Sequence, residues 1–153
     1  MRRILLSLSA LSLASTAGFF AEQKESKPRD AQAAENSLPP IPVAEAERKN
    51  PVKATSEGLA EAKKLYGYHC AMCHGETGDG KGDLAAQMKL ELNDWRNPAS
   101  ISRYTDGALF YIISNGRGKM IGGEGDRTRE ELRWNLVNLV RSFGKKSGEA
   151  AKP

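Results

Sequence analysis

Cys70-Ala71-Met72-Cys73-His74 contains both cysteines of the 153-residue chain and one of its two histidines. The C-x-x-C-H spacing is that of covalent c-type haem attachment. Each thiol adds to one vinyl group, so the two sulfurs must straddle one porphyrin edge. Two intervening residues provide that span, and the adjoining histidine then lies under the iron. Rival uses of the same residues fit less well. Structural zinc takes four Cys or His ligands, and the chain's full supply is His69, Cys70, Cys73 and His74, all in one hexapeptide. A thioredoxin-type redox pair expects a βαβ setting, of which the sequence shows no sign. A plain disulfide would leave His74 without a purpose.

The rest of the chain divides by pattern. Arg2 and Arg3 precede an apolar run from Ile4 to Ala14, and small residues follow. That order predicts an export signal over residues 1–17, cut after Ser15-Thr16-Ala17, with a cut after Ala21 as second choice. Left uncut, Ile4 to Ala21 would form a membrane anchor, although spans usually need about 20 predominantly apolar residues and this one carries several serines. Residues 18–54 mix charge, alanine and the Leu38-Pro39-Pro40-Ile41-Pro42 stretch without sustained apolar periodicity, which predicts a flexible linker. It would act as a spacer or as a loose leader.

A compact domain is expected over residues 55–144, followed by a flexible basic tail over 145–153. Thr55 or Ser56 caps a first helix from Glu57 to Met72, whose apolar positions include Leu59, Ala62, Leu65 and Tyr66. Gly75, Gly78, Gly80 and Gly82 then force a loop. A short helix is expected from Leu84 to Leu90. Another runs from Thr105 or Asp106 to Ser114, stopped at Gly116. Residues 116–127 form a second glycine-rich loop. Thr128-x-x-Glu131 reads as a capping box for a last helix over 129–143, with Leu132, Leu136, Leu139, Val140 and Phe143 on one face. The fold class is therefore all-α. A domain this small has a thin core of its own and needs a further source of stability.

Charge excludes one broad class of function. The formal net charge of +4 comes from the chain ends; residues 18–54 carry six charges of each sign and residues 55–144 twelve of each. A near-neutral domain lacks the clustered basic face that nucleic-acid binding requires. Gly78-Asp79-Gly80-Lys81-Gly82 lacks the strand and spacing of a phosphate loop.

Three segments together resemble a class I cytochrome c. They are Leu65 to Gly75 with its glycine loop, Thr105-Asp106-Gly107-Ala108-Leu109-Phe110, and Leu136 to Phe143. The resemblance covers residues 55–144 and implies a helical domain wrapped around one covalently attached haem c and its iron. It implies that the first and last helices cross at a small residue and an aromatic, places that Ala62 and Tyr66 fit opposite Leu136 and Leu139. It also implies that the ring nitrogen of His74 donates to a backbone carbonyl beside a proline, but no proline lies between His74 and Pro98. Trp95 and Arg96 are candidates to hydrogen-bond haem propionates, with core packing an equal reading for Trp95 and the better one for Trp134.

His74 is the expected proximal ligand. Met72 lies inside the attachment turn, too close to reach the opposite haem face, so Met88 and Met120 remain for the sixth position. Passing around a porphyrin favours the larger separation, and Met120 sits in a glycine-rich loop able to approach the ring closely. The resemblance places a ligand methionine there too, although it is usually followed by proline where this chain has Ile121. Met88 is then packing or surface, and His69 a surface residue suited to a helix C-terminus.

A His–Met pair leaves no open iron site, which favours electron transfer over catalysis. The expected function is an exported, periplasmic, one-electron carrier and not an enzyme. Its partners would be redox proteins that give and take the electron through transient contacts, together with the haem-attachment machinery. It would meet the membrane only through an uncut signal segment. Two alternatives stay open: a haem-bearing subunit of a periplasmic dehydrogenase complex, and a gas-binding or peroxidase-like haem protein with an open distal site.

Overall fold

The computed structural model describes residues 38–149. The expected signal peptide, the linker before Leu38 and residues 150–153 of the expected tail lie outside them. Among the described residues, no helix is long and apolar enough to cross a membrane.

The first long helix, α2 (Ser56–His69), begins where its cap dictates. The Thr55 hydroxyl accepts the Gly58 N–H at 3.1 Å, which satisfies one of the donors a helix start leaves free. Leu59, Ala62, Leu65 and Tyr66 turn one face inward, with Ala62 and Tyr66 buried. The expected extension to Met72 does not occur. The backbone widens at Cys70 (φ −115°) and a separate turn, α3 (Ala71–His74), follows. Cys70 O accepts the N–H groups of both Cys73 and His74, at 3.1 and 2.9 Å, so the C-x-x-C-H segment folds as a unit of its own.

Next come α4 (Asp83–Gln87) and α5 (Pro98–Ser102). Sequence periodicity misses α5, but its start follows the rules: Asn97 accepts the Ala99 N–H and Pro98 fills the first turn. In α6 (Asp106–Asn115), Thr105 is the cap and accepts the Ala108 N–H at 3.1 Å. Gly116, at φ +77°, ends it as expected. The second glycine-rich loop contains a two-residue antiparallel ladder, β1 (Gly116–Arg117) with β2 (Met120–Ile121), and then the short α7 (Glu124–Arg127).

The last helix, α8 (Glu130–Glu149), opens one residue later than expected and continues through Gly144. The expected tail at 145–153 is thus helical over 145–149. Gly144 keeps a helical backbone and serves instead as a close approach: a Cβ there would come within 3.3 Å of Trp95 O. The Thr128 hydroxyl of the expected capping box donates to Glu124 Oε2 at 2.6 Å.

Helix α8 divides the core. Leu132, Leu136 and Leu139 pack with Ala62 and Tyr66 of α2, the crossing that the resemblance implies. Trp134, Val137 and Val140 pack with Ile101, Leu109 and Phe110 on the other side. Gly58 adds a second close approach at the first crossing, since a Cβ there would lie 2.7 Å from the buried Asn135 side chain.

The expected flexible linker at 18–54 needs correction over its last part. Helix α1 (Val43–Ala46) docks on the start of α6. Gly107 makes room for it, for a Cβ at that position would sit 2.1 Å from Glu45 O. Arg48 lies over the rings of Phe110 and Trp134. Asn50 donates to Trp134 O and Asn138 Oδ1, and Asn138 donates back to Val52 O. Specific polar contacts hold this strap down, and a search for apolar periodicity does not register them.

Candidate haem site

The break at Cys70 places two thiols and an imidazole in one turn between α2 and the glycine loop. Cys70 and Cys73 are free and partly buried. Burial, with smaller contributions from the charge of Glu124 and from Cys73, pushes the Cys70 thiol up to about 12. The His74 ring is pressed the other way: burial lowers its pKa to about 4, so the imidazole is neutral near pH 7. Neutral imidazole is the form that ligates a metal.

The rest of the turn is built tightly around these groups. Gly75 (φ +74°) closes α3, and its carbonyl accepts the Tyr66 hydroxyl at 2.6 Å. Gly82 passes over the turn so closely that a Cβ would lie 2.3 Å from Met72 O. The indole of Trp95 stacks on the His74 ring, with centroids 4.2 Å apart. His74 Nδ1 is buried without a hydrogen-bond partner. Two free thiols beside a neutral imidazole in one turn are the donor set that covalent attachment and axial ligation require, so the residues fit a haem iron beside paired thiols. No group of three or more His, Cys, Asp or Glu side chains that could hold a metal ion is found among the described residues, which gives the zinc reading no support.

The remaining sequence candidates fall in different places. Met120 is partly buried on the β1–β2 hairpin at the end of α6, opposite Arg117. Met88 and Met72 are exposed, at 52% and 51%. Trp134 is core, stacked on Phe110 with its indole N–H toward Glu130. Trp95 covers the imidazole. Arg96 grips Asp94 through Nε and Nη2, at 2.9 and 2.7 Å.

Sequence reasoning missed one contact that joins these parts. His69 Nδ1 lies 2.8 Å from Glu124 Oε1, linking the end of α2 to the segment just after Met120. Spacing carries no signal for it, because the pair is 55 residues apart.

Comparison with known proteins bears on the fold and the family. A solved chain of the reducing HAO-like protein complex from Kuenenia stuttgartiensis is 20% identical, with a TM-score of 0.54 over 72% of this chain and 53% of that one. At that identity the likeness shows the fold, and this chain spans about half the length of the one it matches. No curated protein matches. Residues 57–140 match the family model of cytochrome c oxidase, cbb3-type, subunit III. That match takes in more than half of the chain, which therefore belongs to this family of class I c-type cytochrome domains, electron carriers with covalently bound haem c and its iron.

Proposed function

We propose that this protein is an exported, periplasmic mono-haem electron carrier and not an enzyme. In this reading haem is attached through Cys70 and Cys73, with His74 and Met120 as iron ligands. The observation that carries it is the α3 turn, where two free thiols adjoin a neutral imidazole whose buried Nδ1 has no protein partner. When bound, haem supplies one-electron chemistry, at a higher potential with a His–Met pair than with two nitrogen ligands.

The chain's own residues hold and screen that group. The double acceptance at Cys70 O fixes the spacing of the thiols. Trp95 covers one face of His74, and the Tyr66 hydroxyl secures the carbonyl of the next residue, Gly75. Met120 supplies a thioether from a hairpin whose base is pinned to α6, for a Cβ on Gly122 would lie 2.0 Å from the Asn115 carbonyl carbon. Electron donor and acceptor are redox proteins, respiratory or dehydrogenase partners, met through transient contacts. Export would follow the predicted signal at 1–17, and haem-attachment machinery would load the chain.

Visible spectra of the holoprotein, oxidised and reduced, with and without carbon monoxide, test this reading. The carrier gives a sharp reduced α-band, a far-red iron–sulfur band when oxidised, and no response to carbon monoxide. Met120→Ala abolishes the far-red band and Met88→Ala keeps it. A high-spin spectrum that responds to carbon monoxide would replace the carrier with a gas-binding or peroxidase-like protein. The similar solved chain comes from a protein complex, which favours a subunit role as the second reading. Co-purification in a stable stoichiometric assembly would support it.

A further inference from the structure

The two chain segments that carry the proposed iron ligands are joined outside the haem site. His69 adjoins Cys70 and lies five residues before His74; Glu124 lies four residues after Met120. His69 Nδ1 and Glu124 Oε1 are 2.8 Å apart. The Glu124 side chain is only 13% exposed and that of His69 is 39% exposed, so water screens this pair less than a free surface pair. Glu124 is itself held: its Oε2 accepts the Thr128 hydroxyl at 2.6 Å, and its carbonyl accepts the Thr128 N–H at 3.0 Å. The hairpin is anchored at its base on α6, where Gly123 N–H donates to Ser114 O. That anchor fixes the hairpin to α6, so its distance from the attachment turn is otherwise set only indirectly, through α8 to α2. The His69–Glu124 contact spans that distance, from a carboxylate locked on α7 to the last residue of α2.

We infer that His69 and Glu124 are positioning residues, a strut that holds the Met120 hairpin at a fixed distance from the attachment turn and so keeps Met120 on the iron. The inference rests on Met120 ligation as proposed above. A rigid connection between the two ligand-bearing segments lowers the cost of keeping a weak thioether bound, because the hairpin has less freedom to gain on release. Ile121, next to Met120, pairs through its backbone with Gly116, but its side chain is 90% exposed and adds no anchor there. The strut supplies from a distance what the residue after Met120 does not.

The test is displacement of Met120 by free imidazole in the oxidised holoprotein, followed through loss of the far-red iron–sulfur band. His69→Ala and Glu124→Ala should each raise the apparent affinity for imidazole about tenfold, the size expected for a lost hydrogen bond to a charged group. The double variant should go no further than either single variant. Glu124→Gln keeps one acceptor oxygen for His69, turns its NH2 toward the Thr128 hydroxyl oxygen, and should rise by less. Glu61→Gln, which breaks the separate Arg129–Glu61 ion pair, should leave displacement unchanged. His69→Ala alters an exposed residue and keeps the test open should Glu124→Ala fold poorly. If wild type shows the far-red band and both alanine variants bind imidazole within about twofold of it, the strut is overturned and Met120 ligation stands. If wild type shows no such band, Met120 ligation fails and the strut with it.

Discussion

The indole of Trp95 lies nearly parallel to the imidazole of His74, at 22° between planes and 4.2 Å between ring centroids. Trp95 does not drift into that position. Its backbone N–H donates to Gly78 O at 2.8 Å, and a Cβ on Gly78 would lie 2.7 Å from the Phe143 ring. The glycine loop, the indole and α8 therefore form one wall, and that wall covers one face of the imidazole.

Removing the indole should open that wall. Trp95→Ala should destabilise the holoprotein by about 3 kcal/mol, the low end for truncating an aromatic because Trp95 is only partly buried. Trp95→Phe keeps a ring against the imidazole and should cost less than about 1.5 kcal/mol. Guanidinium unfolding followed by circular dichroism measures both. Equal midpoints for Trp95→Ala and wild type would show that the stack contributes nothing to the fold.

Acid should release the imidazole only far below the usual histidine range. Burial lowers the folded pKa of His74 from the ordinary 6.5 to about 4. For a lowered pKa the unfolded state binds the proton first, so the contribution to stability is complete above about 6.5 and is lost as pH falls toward 4. Iron coordination competes with the proton and moves the loss no higher. In an acid titration of the oxidised holoprotein, the low-spin bands should persist through about pH 5 and fail at or below about pH 4. A spectral change centred near pH 6.5 would mean a solvated imidazole.

Most of this architecture is legible in the sequence because its signals are local. Thr55, Thr105 and Gly116 set helix ends through bonds to their near neighbours, and those bonds form where expected. The α2–α8 crossing is what the resemblance implies; helical spacing alone puts Ala62 with Tyr66, and Leu136 with Leu139, on one face of each helix. Cys70, Cys73 and His74 share one turn, so their grouping needs no tertiary information. The strap and the strut are not legible, because both rest on polar contacts between distant segments. Asn50 meets Asn138 across 88 residues and His69 meets Glu124 across 55. Gly144 misleads for a related reason: a tertiary contact with Trp95 O uses its lack of a side chain inside the helix.

The strap can be tested at two positions that touch different parts of the core. Asn50→Ala removes donors from Trp134 O and Asn138 Oδ1, at 3.2 and 2.9 Å, and should cost about 1–3 kcal/mol. Gly107→Ala places a methyl 2.1 Å from Glu45 O and should displace α1, at about 1–3 kcal/mol for overpacking. Hydrogen exchange should show faster loss of amide protons over residues 43–52 in both variants. Unchanged exchange there, with wild-type stability, would return this segment to the role of a linker.

Tyr66 connects the α2–α8 crossing to the attachment turn, and its ring and hydroxyl can be separated by substitution. The ring packs against Phe143 at 5.4 Å and 59°, while the hydroxyl donates to Gly75 O at 2.6 Å. Burial raises the phenol's pKa, so the hydroxyl keeps its proton and remains a donor at physiological pH. Tyr66→Phe retains the packing and leaves the Gly75 carbonyl with only the Gly78 N–H, at 3.2 Å. That should cost about 0.5–1.5 kcal/mol, the net value of one lost hydrogen bond. Tyr66→Ala loses the ring as well and should cost about 3–5 kcal/mol. Urea unfolding of the three holoproteins gives the order wild type, phenylalanine, alanine. If Tyr66→Phe matches wild type within about 0.5 kcal/mol, the hydroxyl does not secure the turn and the crossing rests on packing alone.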